Sequence, residues 1–549
     1  MKILINKIQK LLNEEFGKIL LITILIFTSY GIERYFYGRY GDAPLYVKTL
    51  KFLFSFICFF MCGVGIFTIL SFFKKSIKNI IVTLILLVSI PLFMVDIFLL
   101  YNFNSIINNT NIQILFETNF NESIEFLATY LNMKSVIVVI VLLFIFIKFF
   151  KLKVEIQSKK IIWIISVFTL VQLFEIKDSI KNTPIGRTVL AIHSSLENSK
   201  IYKELANSIV NSVEITKNNS RIENIIMIIG ESTTRNHMEI YGYKLNTTPN
   251  LKKLEEEGNL YKFTDTISSH VNTVGSLQKV LTFYNSDSNN EWYTYNNIVD
   301  VMSKADYKTY WFSNQESFSL GGNIATAIGN RCDFIEFNRR RDANDDFKNS
   351  FDGEIIEKSL NKIGGDKNFI VYHLMGTHSS YKNRYPKEFS KFDEKDYKLP
   401  IKEKDKKEIS EYDNAILYND YVVNKIINLY KDRESVVIYF SDHAEEMFDF
   451  RDYRGHAEDK ASRYMMEIPF LIYLSDTTKN KYPELGDKIK SSLNRPYMTD
   501  DIIHTILDIV GIKTKEFDET RSVINDKFND KRERKYKEKS YDSYWKIIN

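Results

Sequence analysis

The residues able to do chemistry in this chain gather where short apolar runs end. "IIMIIGE" sets Glu231 directly after five apolar residues and a glycine, "NFIVYHLMGTH" ends on His373 and His378, and "SVVIYFSDH" ends on Asp442 and His443. A fourth run, "DYKTYWFSNQ", delivers Ser313, Asn314 and Gln315. The chain has eight histidines, none before residue 193, and three of them fall at these run ends. Carboxylates with imidazoles and no cysteine nearby suit zinc or manganese rather than calcium or a soft-metal centre. His456, thirteen residues after His443 in "YRGHAED", is placed to fold back as a further ligand or as an acid/base.

Each residue alone has an ordinary structural explanation, such as an acid near a helix start or an Asp-His pair closing a strand. Their joint placement is what points to a metal centre. A nucleophile is sought among hydroxyls. "SSHVNTVGSLQKV" sets Ser268, Ser269, Thr273 and Ser276 around a helix beginning near Gly275, whose backbone N–H groups favour an anion. A metal-ionised hydroxyl there is able to attack phosphorus. Residue types alone do not choose among the four.

These groups need a scaffold that brings them together. The four runs are continuously apolar and rich in Ile, Val, Tyr and Phe, the pattern of strands buried on both faces of a parallel sheet. The stretches between them are long enough for crossover helices, so an α/β domain is expected from residue 223 onward, with its ligands beyond the carboxyl ends of the strands. "MTDDIIHTILDIVGI" reads as a helix with a glycine stop, and the charged segment 526–540 as a solvated helix.

Upstream the chain is of another kind. Residues 52–73 carry no charge over 22 positions and 79–101 is interrupted only by Asp96, both long enough to cross a bilayer. Beside them, the apolar stretches 16–33, 131–150 and 160–177 complete five spans. With the N-terminus in the cytoplasm, the inside segments 1–18, 74–78 and 148–160 hold twelve Lys and Arg, against five in 33–51 and 102–134. Everything after residue 177 then lies outside the cytoplasm. The first span lacks a small-residue cleavage site and is followed by more spans, so it reads as an anchor. Segment 102–133 is too amphipathic for lipid and too apolar for a plain linker, which places it on the membrane surface. Val189, Ile192, Leu196, Ile201, Leu205 and Ile209 recur at helical spacing and suggest an amphipathic bridge.

The expected organisation is therefore a five-helix transmembrane domain (1–177), an amphipathic linker (178–222) and a catalytic α/β domain (223–549). A net charge of +4 over 549 residues, with lysine spread throughout, leaves no electrostatic footprint for nucleic acid. Cys58 and Cys62 lie in a span and Cys332 stands alone outside, so the exported domain has no internal disulfide.

In chain order, "ILFETNFNESIEFL", "GESTTRNHMEIYGYKLNTTPNL", "HVNTVGSLQKVLTF", "HLMGTHSSYKNRYP" and "SDHAEE" followed by "GH" resemble the phosphoethanolamine transferases of Gram-negative inner membranes, in the alkaline phosphatase/sulfatase-like superfamily. The resemblance implies that Glu231, Asp442 and His443 bind zinc and that Thr273 is the nucleophile, itself touching the metal. It implies transfer of phosphoethanolamine from phosphatidylethanolamine to a lipopolysaccharide core or lipid A acceptor through a phospho-threonine intermediate. His378 and His456 would hold phosphate oxygens or protonate the leaving group, with room around them for a second metal; zinc is expected over manganese. Thr118, Glu122, Asn314, Gln315 and His373 match substrate-contacting positions.

Two departures set the chain apart from lipid A-directed members. Their exported domains carry several disulfides, and the lysine they place after the Asn-containing pocket motif is here Ser319. The wording "STTR" and "LQKVLTF" is closer to the branch acting on the lipopolysaccharide core. A phosphoglycerol transferase of the same superfamily, similar to lipoteichoic acid synthases, is the nearest rival, and "FETNFNE" with "GES" favours ethanolamine over it. A sulfatase would need a Cys/Ser-x-Pro-x-Arg nucleophile motif, which is missing. A non-catalytic, metal-stabilised membrane binding protein would show degenerate ligands, whereas here each expected ligand position is filled.

Overall fold

The computed structural model describes residues 2–36, 43–118, 123–124, 126–127, 130–131, 133–174, 180–207, 213–316, 322–339 and 350–547. The chain forms two compact units, residues 1–116 with 126–198, and residues 117–125 with 199–549.

In the first unit, α1 (Lys2–Phe36), α2 (Leu45–Leu70) and α3 (Lys75–Phe103) are long and apolar enough to cross a membrane. They are followed by α4 (Asn109–Glu117), α5 (Met133–Phe150) and α6 (Lys159–Phe174). Three helices among the described residues meet the length of a span, where five were expected. The apolar parts of α5 and α6, Val136–Phe150 and Lys160–Gln172, are shorter. Leu84, Leu87, Ile140 and Phe144 point outward without cover, as suits residues facing lipid. Asp96, the one charge in its apolar stretch, is fully buried. It accepts from Ser29 Oγ at 2.6 Å and from Ile107 N–H at 2.8 Å, and pairs with the Arg187 guanidinium. An acid at that depth needs such partners.

The next helix, α7 (Pro184–Asn207), leaves Val189, Leu190 and Leu196 exposed. Further along it, in the second unit, Ile201 and Leu205 pack on that unit's core. Ile209 lies outside the described residues.

The second unit is built on a seven-stranded sheet. Its strands are β1 (Asn224–Gly230), β2 (Leu260–Lys262), β3 (Lys308–Glu316), β4 (Phe334–Arg339), β5 (Asn368–His373), β6 (Ser435–Ser441) and β7 (Phe470–Leu474), in the order β2-β7-β6-β1-β5-β3-β4. The five from β6 to β4 run parallel, and β7 lies antiparallel to both β6 and β2. All seven residues of β1 are buried, and side chains alternate between two cores. Ile225, Met227 and Ile229 join Trp311, Val371 and Ile438 on one face; Ile226 and Ile228 join Phe312, Tyr372 and Val437 on the other. Burial on both faces is why these runs are continuously apolar.

Register then sets the site. Ile229 lies opposite both His373 and Phe440, and Gly230 opposite Ser441, so β1 and β6 end level and release Glu231 and Asp442 side by side, while β5 ends one residue earlier at His373. Helix α8 (Thr273–Val280) begins at this edge, α9 (Glu403–Tyr430) covers the second face, and α10 (Ile502–Val510) ends at Gly511 with φ +85°, the left-handed stop expected of that glycine.

One expected element is absent. Segment 526–540 is turns and a short hairpin pairing Lys535–Tyr536 with Lys539–Ser540, not a solvated helix. Its arginines have partners distant in sequence. Arg532 binds Asp500, Asp501 and Asp287, and Arg534, almost wholly buried, binds Asp265 and Asp542. The local charge pattern looked self-contained because those acids lie up to 269 residues away. Arg532→Ala would strand the buried carboxylate of Asp500, leave Asp501 with Arg521 alone, and is expected to cost about 3–5 kcal/mol. Urea unfolding of the full-length protein in detergent checks this; a loss below about 1 kcal/mol would mean that the arginine is solvated.

Candidate metal centre and active site

Glu231 leaves β1 into a turn in which Ser232 takes a left-handed conformation, φ 57°. That turn aims the Ser232 N–H at Asp442 Oδ1 (3.2 Å) and lets the Ser232 hydroxyl donate to Glu231 Oε1 (2.7 Å). Asp442 Oδ1 also accepts from the His443 N–H at 2.7 Å, while its Oδ2 is buried with no hydrogen-bond partner. His443 Nδ1 lies 3.0 Å from the Ala444 carbonyl, which can only accept, so Nδ1 carries the hydrogen. In the neutral ring Nε2 therefore turns its lone pair inward, 3.2 Å from Glu231 Oε1 and 3.6 Å from Asp442 Oδ2.

Ligand atoms of Glu231, Asp442 and His443 lie within 4.8 Å of one another, and these residues form the only such group of three or more His, Cys, Asp or Glu among the described residues. Burial opposes charge on every member. Against it, the neighbouring His443 holds Glu231 well below the carboxylate range, while burial together with Glu231's charge pushes Asp442 well above it. Burial would lower His443, but the two acids raise it to about 10. Protons on Asp442 and His443 thus supply positive charge that a cation would otherwise provide. The orphaned Asp442 Oδ2, the inward Nε2 and the two carboxylates fit a zinc ion by number and chemistry of donors.

Thr273, first residue of α8, donates its hydroxyl to Glu231 Oε2 at 3.0 Å and lies 3.4 Å from His443 Nε2. Asn272 caps the helix, its Oδ1 accepting from the Gly275 N–H at 2.8 Å. The other hydroxyls left open by the sequence sit elsewhere. Ser268 bonds the Asp442 carbonyl and Ser276, Ser276 bonds the His270 carbonyl, and Ser269 is buried.

The loop after β5 backs the glutamate. Thr377 donates both N–H and hydroxyl to the Glu231 carbonyl, at 3.0 and 3.1 Å. At Gly376, φ +53°, an added Cβ would lie 2.8 Å from the Glu231 backbone N and O. Asp352 holds this loop by accepting from the Met375 and Gly376 N–H groups at 2.8 and 2.9 Å.

Asn314, expected in the substrate pocket, is fully buried and bonds Asp352, Ser350 and Asn338, so it supports the loop. Gln315 bonds the Leu374 carbonyl at 3.0 Å. His373 lies 3.5 Å from the Ser313 hydroxyl with its Nε2 buried and unpartnered, and burial pushes it down to about 4. His378 likewise has a buried, unpartnered Nδ1 and is pushed down to about 4 by burial. The His456 ring lies 4.2 Å from that of His443, with Nδ1 2.7 Å from Glu445 Oε2. Thr118 follows α4 and is half-buried; Glu122 and Ser319 lie outside the described residues.

Sequence reasoning missed Ser232, Gly376, Asp352 and Glu445. Glu445 was signalled by its place in "SDHAEE", and the structure shows it bridging His456 and the Tyr381 hydroxyl, 2.6 Å from its Oε1. Asp352 carried no local signal, since its partners are assembled only by the sheet.

A sulfatase family model matches residues 223–512. The chain is 29% identical over 457 residues to the phosphoethanolamine transferase EptC of Escherichia coli, covering 76% of this chain and 77% of that protein. It is 31% identical over 319 residues to the phosphoethanolamine transferase CptA of Salmonella typhimurium, covering 56% and 54%. Among solved structures, the periplasmic domain of Escherichia coli EptC in complex with zinc superposes with TM-score 0.56 at 30% identity, covering 60% of this chain and 96% of that one. The integral membrane protein lipooligosaccharide phosphoethanolamine transferase A of Neisseria meningitidis shares the fold over 93% of this chain and 98% of its own, with TM-score 0.62 at 17% identity.

Gly376→Ala should displace Glu231 and weaken metal binding about 10–100-fold, the usual effect of disturbing a ligand's support; a zinc titration at wild-type affinity would contradict the close approach. A second expectation concerns acid. His378, at about 4 when folded against an ordinary 6.5, contributes stability that is full above pH 6.5 and lost as pH falls toward 4. The difference in urea midpoint between His378→Gln and wild type, both metal-free, should therefore shift in favour of the variant over that window. A constant difference would show that the imidazole is not held neutral.

Proposed function

The chain belongs to the phosphoethanolamine transferases of the alkaline phosphatase/sulfatase superfamily, and from that membership we propose that it moves phosphoethanolamine from phosphatidylethanolamine to a lipopolysaccharide-type glycolipid, the core or lipid A, through Thr273. The observation that carries the reading is the Thr273 hydroxyl at a helix start, 3.0 Å from Glu231 Oε2 and 3.4 Å from His443 Nε2.

Glu231, Asp442, His443 and Thr273 would hold zinc, a Lewis acid that lowers the pKa of a hydroxyl and draws charge from phosphoryl oxygens. The zinc complex of the related Escherichia coli domain supports zinc. Thr273 Oγ attacks phosphorus as its proton departs along the hydrogen bond toward Glu231 Oε2. The Oγ–P bond forms, the bond from phosphorus to the diacylglycerol oxygen breaks, and that oxygen takes a proton from His456, which Glu445 orients through Nδ1. His378, kept neutral by burial, offers an N–H to a phosphoryl oxygen. In the second half an acceptor hydroxyl or phosphate gives any proton it carries to His456 and displaces Thr273 Oγ, which recovers its own. His373 and Gln315 line the pocket, and Asn314 acts through Asp352. Thr118 and Glu122 would meet the ethanolamine ammonium, for which a carboxylate is the natural partner.

In this reading α5 and α6 complete five spans in a Gram-negative inner membrane, the N-terminus is cytoplasmic and the catalytic unit periplasmic. Exposed apolar side chains on the first unit and the described Asp96 pairing support a membrane setting.

The test is head-group transfer from phosphatidylethanolamine vesicles to lipopolysaccharide. Thr273→Ala should lower the rate by about 10³-fold or more, and Glu231→Ala or Asp442→Asn should lower zinc content as well as rate. Transfer by Thr273→Ala near the wild-type rate would refute the nucleophile. Transfer only from phosphatidylglycerol would replace the donor with that of a phosphoglycerol transferase.

A further inference from the structure

The cap of the nucleophile's helix is itself held by a residue that the reaction above does not use. Asn272 spends its Oδ1 on the Gly275 N–H, and its Nδ2 donates to Glu458 Oε1. The same carboxylate oxygen lies 3.7 Å from His270 Nδ1. The His270 ring is pressed on the first turn of α8, since a Cβ at Gly275 would lie 2.7 Å from its Cγ. Glu458 is fixed from behind by the C-terminal hairpin. Its carbonyl accepts from Lys537 Nζ at 3.0 Å and from the Tyr536 hydroxyl at 3.4 Å. Tyr536 is buried in a small core with Ile267, Val271, Met465 and Tyr541. Two residues before Glu458 on the same loop stands His456, the proton carrier.

We propose that Glu458 is a positioning residue for Thr273, acting through Asn272, so that one loop sets both the nucleophile's turn and the proton-carrying histidine. The inference rests on the functional reading above. An asparagine cap is free to swing unless its amide has a second anchor, and a reacting oxygen misplaced by about 1 Å costs on the order of 10²-fold in rate. The half-buried Glu458 carboxylate supplies that anchor. The bland alternative is an ion pair with Lys537, whose Nζ lies 3.9 Å from Glu458 Oε2. That contact would leave catalysis indifferent to Glu458.

A double-mutant cycle on the full-length protein in phosphatidylethanolamine vesicles tests the proposal. Asn272→Ser keeps a capping oxygen and loses the amide donor; Glu458→Ala removes the anchor. Each should lower kcat about 10–100-fold with KM for the donor lipid within about 2-fold and zinc content unchanged, and the double variant should be no slower than the slower single one. Glu458→Gln, which keeps an acceptor oxygen, should recover most of the loss. The proposal is overturned if Glu458→Ala keeps kcat within about 2-fold of wild type, if the two losses multiply, or if zinc is lost together with rate. Wild-type transfer with an indifferent Glu458→Ala sinks this inference alone, while a wild-type protein that transfers nothing sinks the functional reading with it.

Discussion

Two carboxylates and one imidazole lone pair converge in a space closed to water, and most of the second unit is arranged to keep them there. Glu231 and Asp442 oxygens lie within 4.8 Å of each other, and like charges about 4 Å apart repel by about 4 kcal/mol at an effective dielectric near 20. Either protons or a cation must balance them. Without a metal the group settles on protons, with Asp442 pushed up and His443 raised to about 10. A divalent cation satisfies the same electrostatics by taking the His443 lone pair and the carboxylate charges in place of those protons. Its affinity is then the stored cost of crowding the donors.

That crowding is made tolerable by backbone register. β1 and β6 end level, so Glu231 and Asp442 emerge from adjacent strands with no freedom to drift apart. The left-handed Ser232 and the glycine at 376 let two loops close to hydrogen-bond distance around the glutamate. A chain of bonds runs outward from there, from Asn314 to Asp352, from Asp352 to the loop that carries Thr377, and from Thr377 to the Glu231 carbonyl. The C-terminal hairpin does the corresponding task for the nucleophile's helix, and the half-buried Arg532 and buried Arg534 just before it pair with five carboxylates, which explains why a segment so rich in charge is ordered.

Much of this was legible in the sequence because it depends on local pattern. Strands buried on both faces must be continuously apolar, so β1, β3, β5 and β6 could be read directly, and with them the edge where Glu231, His378, Asp442 and His443 would meet. By residue type alone Thr273 was one of four hydroxyls and only the family resemblance singled it out; the fold sets it 3.0 Å from Glu231 Oε2. Asn314 was placed in the pocket by family resemblance, whereas its amide is buried and bonds Asp352, Ser350 and Asn338. The tail at 526–540 was misread for a different reason, since most of its partner acids, Asp265, Asp287, Asp500 and Asp501, lie outside it and leave no local trace. The span count is the remaining case. Apolar composition was clear, yet among the described residues only α1, α2 and α3 are long and apolar enough to cross a membrane, and the described apolar parts of α5 and α6 are shorter.

The account stands on Thr273 forming a covalent bond to the phosphoryl group of its donor. The most direct measurement is fragmentation mass spectrometry of the tryptic peptide Phe263–Lys279 after incubating the zinc-loaded, full-length protein with phosphatidylethanolamine and no acceptor. A phosphoethanolamine adduct on Thr273 is the expected result. An adduct on Ser268, Ser269 or Ser276, or a peptide that stays bare under these conditions, would contradict it.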